Sequence, residues 1–204
     1  MLARGAEAVI YLEKREDSKV VVKERIEKGY RIKELDNLLR KRRTKREVKL
    51  MTEARKFGVD VPKIVEVDWK NHKIVMEYVE GRKLKEIIGS DGKICEEIGR
   101  IVGRLHSAGI IHGDLTTSNM ILSRGRVFLI DFGLGFFSKR IEDQGVDLKL
   151  MKDALNSTHP DIFEECWEKV VEGYKKEYKD SEKVLKKVEE IEKRGRYVRR
   201  HGKS

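Results

Sequence analysis

The sequence predicts an α+β fold of two unequal lobes, a small sheet-plus-helix lobe followed by a reduced, mainly helical one. Three observations carry this. β-Branched runs with polar turns dominate the first part of the chain around one long helical stretch. Beyond Gly81 the apolar residues recur instead at helical spacing. The length of 204 residues suits two small lobes sharing a cleft but not two full-sized domains. Residues 1–204 are therefore read as one domain, with a first lobe over 1–78 and a second over 79–204.

In chain order, "GAEAVIYLE" and "SKVVVKERI" read as strands joined by the polar "KREDSK" turn. The stretch from about Ile32 to Phe57 is helical in pattern, with a break expected near Arg43 and Thr44. There Thr44 would cap a second helix and Glu47 would close a capping box. "KIVEVDWKNHKIVMEYVEG" reads as a hairpin turning at Asn71 and His72. In "ICEEIGRIVGRLHSAG", Ile94, Ile98, Ile101 or Val102, and Leu105 fall at helical spacing, and Gly109 is the stop signal. "NMILS" and "RVFLIDFG" follow as short strands turning at Gly125. From Asp147 the pattern is helical nearly to the end, with Leu148, Met151, Ala154 and Leu155 on one face. Phe163, Trp167, Val170, Val171 and Tyr174 form a later face.

Composition narrows the partners. Charged residues make up 40% and hydrophobic residues 39%, which argues for a folded chain. Lys plus Arg number 46 against 36 Asp plus Glu, giving a net charge of +10. That excess favours polyanions such as RNA, with a solvated, thermophile-like surface as the equal alternative. "LLRKRRTKREVK" and the tail "EKRGRYVRRHGKS" carry much of it and are the candidate polyanion surfaces. Cys95 and Cys166 lie in helix-like segments without metal-type spacing, so reduced structural thiols are expected. No apolar run approaches the ~20 residues needed to span a bilayer, and a soluble, cytoplasmic protein that does not enter the membrane is expected.

The chemistry lies in "IHGDLTTSNMIL" and "DFG". Phosphoryl transfer needs a base for the acceptor, oxygen ligands for magnesium and cations on the phosphates. Asp114 suits the first role, and Asn119 and Asp131 the second; H-x-D-x-x-x-x-N followed by a strand ending in D-F-G is a specific combination. Lys23, closing the strand "VVVK", suits the third. Glu47 falls in the middle of the stripe made by Leu50, Met51, Ala54 and Phe57, where a carboxylate needs a partner. An ion pair with Lys23 is favoured there over the capping box. "IVMEYVEG" has the position of a hinge between lobes, with Met76 behind an adenine pocket and the Glu77 carbonyl and Val79 amide on the adenine edge. In "RGAEA" the amide of Gly5 can approach phosphate, with Ala6 and Ala8 small enough to allow it.

The departures are as informative. Gly113 stands where most protein kinases carry Arg, and Thr116 where Ser/Thr kinases place a Lys against the transferring phosphate. Pro62 and Pro160 are the only prolines, so no A-P-E motif follows "DFG". The stretch from Gly133 to Asp147 is also short for an activation segment with a peptide platform.

Together these residues resemble one family over nearly the whole chain: the small atypical kinases of the KEOPS complex, the PRPK or bud-site-selection kinase family, in archaeal form. "GAEAVIY", "VVKERIEKGYRIKELDNLLRKRRTKRE", "IHGDLTTSNMIL", "LIDFGLGF", "EDQGVDL", "STHP" and "RGRYVRR" carry the resemblance. It implies a bilobal protein-kinase-like fold, ATP and magnesium as cofactors, and Ser/Thr kinase and ATPase activity. Lys23 and Glu47 would anchor ATP, Asp114 would be the catalytic aspartate, and Asn119 and Asp131 would hold magnesium. Asp147 matches a helix aspartate that braces the catalytic loop. The implied partners are a tRNA threonylcarbamoyltransferase subunit, in some archaea fused upstream, a small subunit on the first lobe, and tRNA itself, on the basic surfaces and tail. Two other readings compete: a small-molecule phosphotransferase of the aminoglycoside or choline type, and a non-catalytic nucleotide-binding scaffold.

Overall fold

A computed structural model of the chain describes residues 3–5, 7–15, 18–89 and 92–201. The side chains of the basic tail from residue 195 lie outside the described residues, as does Ala6.

The first lobe is an antiparallel sheet of β1 (Ala3–Arg4), β2 (Ala8–Arg15), β3 (Ser18–Arg25), β4 (Ile64–Asp68) and β5 (Lys73–Glu77), in the order β1-β2-β3-β5-β4. Alternation along β3 sorts its residues by face. Val20 and Val22 pack with Val75 and Tyr11 on one side, while Val21 faces the main core. Lys23 and Arg25 share the period of Val21 and are buried with it. The β4–β5 hairpin turns through Asn71, whose amide donates to Asp68 Oδ1 at 3.0 Å, and His72, at φ 56°.

Between these strands runs α1 (Lys33–Lys56), a single helix without the expected break. Thr44 does not cap a second helix. It is buried, and its hydroxyl donates to the Arg40 carbonyl one turn back at 2.9 Å. That bond satisfies the side chain inside a continuous helix.

The second lobe opens with β6 (Arg82–Lys83), α2 (Leu84–Ile87), α3 (Gly92–Ser107) and β7 (Ile110–Ile111). Next come β8 (Met120–Ser123), β9 (Arg126–Leu129) and β10 (Phe136–Phe137); β6-β8-β9 form a small sheet and β7 pairs with β10. Three helices close it: α4 (Ile141–Thr158), α5 (Phe163–Glu177) and α6 (Ser181–His201). α4 begins ahead of Asp147, with Glu142 and Asp143 in its first turn, where carboxylates suit the positive end of the helix.

α3 and α5 approach unusually closely. A Cβ on Gly99 would lie 1.9 Å from the Val170 carbonyl oxygen, and one on Gly173 would lie 2.0 Å from that of Glu96. The same seam brings Cys95 and Cys166 to a Cα separation of 5.2 Å, and they form a disulfide. The expectation of reduced thiols is corrected here: adjacent helix faces supply the bonding distance across 71 residues of sequence. One core runs through both lobes, joining Leu50, Met51 and Ala54 of α1 to Ile98, Leu105, Leu148 and Tyr174. Among the described residues no helix is long and apolar enough to cross a membrane.

Candidate active site

The site begins where β3 meets α1. Lys23 Nζ lies 2.5 Å from Glu47 Oε1 and 2.6 Å from Asp131 Oδ1. The other Glu47 oxygen accepts from Arg25 Nη2. The Lys23, Arg25 and Glu47 side chains are all nearly fully buried. Two cations and two carboxylates thus balance at the base of the cleft, as buried charge requires. Burial alone would lower the Lys23 pKa, but Glu47 and Asp131 outweigh it and hold the ammonium above the usual lysine value. Burial likewise pushes the Asp131 carboxyl up, yet Lys23 and the Gly133 amide bring it below the ordinary range. Both groups are therefore charged at neutral pH. Asp131 also sits at φ 64°, a left-handed conformation that Asp tolerates better than most residues.

The loop after β7 hangs on α4. Asp147, itself buried, accepts the His112 amide at 2.9 Å on Oδ2 and the Gly113 amide at 2.8 Å on Oδ1. His112 is fully buried, and burial depresses its pKa, so the ring is neutral. Its Nε2 faces the Ile130 carbonyl at 3.2 Å while Nδ1 faces the Asp114 amide at 3.2 Å. Only the tautomer protonated on Nε2 satisfies both, and it ties Asp114 to the strand that leads into Asp131. Asn119 Nδ2 donates to Asp114 Oδ2 at 2.8 Å and to the Asp114 carbonyl at 3.0 Å. Its amide oxygen takes no part in those contacts. Thr117, between them, meets His159 Nε2 at 3.0 Å.

Gly113 adopts φ +78°, and a Cβ there would lie 2.9 Å from the Leu134 carbonyl oxygen. An Arg at this position would be strained and would collide with the chain following Asp131.

Lys23, Asp114, Asp131 and Gly5 line one cavity of about 460 Å³, together with Arg25 and Arg46. The Gly5 amide donates to the Ala8 carbonyl at 3.0 Å, closing the β1–β2 turn on itself. Met76 is buried at the end of β5, and Glu77 closes that strand, its amide on the Lys63 carbonyl at 2.9 Å. Met76, Glu77, Val79 and Asn119 are not among the residues lining this cavity. Sequence reasoning missed Arg25, Arg46 and His159. The signal for Arg25 was present, since it is two residues from Lys23 on the same strand face. For His159 only the fold supplies the contact.

A model of the RIO domain matches residues 8–134. The chain is 51% identical to the KEOPS complex subunit Bud32 of Pyrococcus abyssi, covering 98% of this chain and 97% of the relative. It is 48% identical to the probable bifunctional tRNA threonylcarbamoyladenosine biosynthesis protein of Methanothermobacter thermautotrophicus, covering 97% of this chain but 36% of that protein's length. Among solved structures, the Rio2 kinase complex with ADP, Mg2+ and phosphoaspartate from Chaetomium thermophilum superposes with a TM-score of 0.66 at 15% identity, over 96% of this chain and 70% of that one. The fold is thus the protein-kinase-like RIO fold, a sheet lobe on a mostly helical one. The chain belongs to the RIO-domain family of atypical kinases, in the branch that contains the KEOPS subunit Bud32.

Proposed function

We propose that the chain binds ATP with magnesium in the cleft and transfers the terminal phosphate to a hydroxyl or to water, as a Ser/Thr-type kinase and ATPase. In this reading it works in the cytoplasm, within a complex that makes threonylcarbamoyl-adenosine in tRNA. The observation that carries the reading is Lys23, held between Glu47 and Asp131 on the wall of the cavity that also contains Asp114. A buried, charged lysine beside a cavity suits the phosphates of a nucleotide. Magnesium also fits this donor set: Asp131 has a partly exposed carboxylate, and Asn119 keeps its amide oxygen out of the bond to Asp114. Those two residues would hold the ion. Bound there, it would neutralise charge on the phosphate oxygens.

The protein's own groups do the rest. Asn119 and the neutral His112 orient Asp114, leaving its Oδ1 to take the acceptor's proton. The acceptor oxygen attacks the γ-phosphorus, the bond to the β–γ bridging oxygen breaks, and ADP leaves with the electron pair. Met76, Glu77 and Val79 form the adenine edge, and Gly5 lies in the loop above the phosphates. The bifunctional relatives and the KEOPS subunit support a partner in tRNA threonylcarbamoyladenosine synthesis; in this reading the partner is a transferase, in some archaea fused upstream, and a small subunit docks on the first lobe. Arg42 and Lys45 are exposed and have no carboxylate partner among the described residues, which suits tRNA phosphates on the outer face of α1. The basic tail is a second such surface.

The reading is tested with Lys23→Ala and Asp131→Asn, the latter chosen because Asn also tolerates φ 64°. Magnesium-dependent ATP hydrolysis should fall at least about 100-fold in both while the fold survives. In the wild type, addition of transferase and tRNA should raise hydrolysis. Unchanged hydrolysis in both variants would reduce the chain to a scaffold, and rapid phosphorylation of aminoglycosides or amino alcohols would assign it to small molecules.

A further inference from the structure

The loop carries Thr116 where a phosphate-side lysine is expected, so the proposed reaction lacks one cation on its own loop. The cavity wall offers several, but most are engaged. Lys23 is bound to Glu47 and Asp131, Arg25 to Glu47, and Arg43 to Glu7. Arg46 is different: it lines the same cavity as Asp114 and Asp131, it is exposed, and it has no carboxylate partner among the described residues. Its backbone is fixed, because it precedes Glu47 on α1 and the double ion pair to β3 sets the rotation of that helix.

We propose that Arg46 binds the terminal phosphate of the nucleotide and supplies the cation that the loop lacks at Thr116. This rests on the phosphotransfer reading above. Among the described residues the guanidinium has no ion pair to break before it reaches a phosphate, and its planar fork matches two phosphate oxygens at once. Arg4 also lines the cavity without a carboxylate partner among the described residues, but it hangs from the two-residue strand β1. Placement on a helix locked by buried charge is the more reproducible one.

The test compares Mg-ADP with Mg-AMP-PNP, by calorimetric titration and by the melting-temperature shift each produces, in the wild type, Arg46→Ala, Arg46→Lys, Arg4→Ala and the remote control Lys70→Ala. Arg46→Ala should bind ADP within about threefold of wild type but lose about tenfold or more for AMP-PNP, with kcat for hydrolysis down roughly 10²–10³-fold. Arg46→Lys should recover part of both, Arg4→Ala should keep its preference for AMP-PNP over ADP, and the remote Lys70→Ala should match the wild type. The ligand-free melting temperature of Arg46→Ala should be unchanged, which separates phosphate binding from a structural role. If Arg46→Ala keeps its preference for AMP-PNP over ADP and its kcat, or if Arg4→Ala alone loses them, the inference is wrong while the functional reading stands. A wild type that binds neither nucleotide would overturn both.

Discussion

Glu47 carries two cations on one carboxylate, and this makes it the least replaceable charge of the cleft. Glu47→Ala would leave Arg25 buried without a partner, at a cost of about 3–5 kcal/mol. Lys23→Ala should cost less, because Arg25 continues to neutralise Glu47 and Asp131 is partly solvated. Urea unfolding of the two variants checks the order, and a larger loss for Lys23→Ala would contradict it. Much of this was legible in the sequence. The Lys23–Glu47 pair follows from a carboxylate placed inside an apolar stripe, and Asp114, Asn119 and Asp131 from their spacing. Arg25 escaped because "VVVK" was read only to its lysine, and the expected break at Thr44 followed a local capping signal that the continuous helix overrides.

Among the elements, the α3–α5 seam sets the geometry of the second lobe. Backbones this close require hydrogen in place of Cβ at Gly99 and Gly173, and any side chain there must force the helices apart. Gly99→Ala should lower stability by about 1–3 kcal/mol or more. Thermal melting by circular dichroism checks this, and a variant as stable as wild type would show that the seam can open without penalty. The disulfide between Cys95 and Cys166 crosses the same seam. Two lone cysteines in separate helical segments follow no spacing rule, so their pairing was not readable from sequence. The two-residue strands β1, β6, β7 and β10 are likewise too short for any periodicity to announce. By contrast, α3 was legible almost to its ends, since its apolar residues hold one stripe and Gly109 stops it at φ +69°.

Across the molecule, buried and half-buried histidines couple stability to acid. Burial lowers the pKa of His72, His112 and His159 below the ordinary imidazole value. As pH falls below about 6.5 the unfolded chain takes up these protons before the folded one does, so stability present at neutral pH is lost on acidification. The slope is at most about 1.4 kcal/mol per pH unit for each histidine. Urea midpoints measured at about pH 7.5 and 5.5 should show the fall, and equal midpoints would remove the histidines from the account. The β7–β10 ladder has a different reach. Phe136 and Phe137 pair with Ile111 and Ile110, and the Ser138 amide bonds the Gly109 carbonyl at 2.9 Å. These bonds fasten the segment after Asp131 to the strand that leads into the loop of His112 to Asn119, and little slack remains before α4. Moving that segment aside would mean unzipping β7, the strand that leads into His112 and Asp114. Among the described residues, the segment on this side of the cleft is thus tied down rather than hinged.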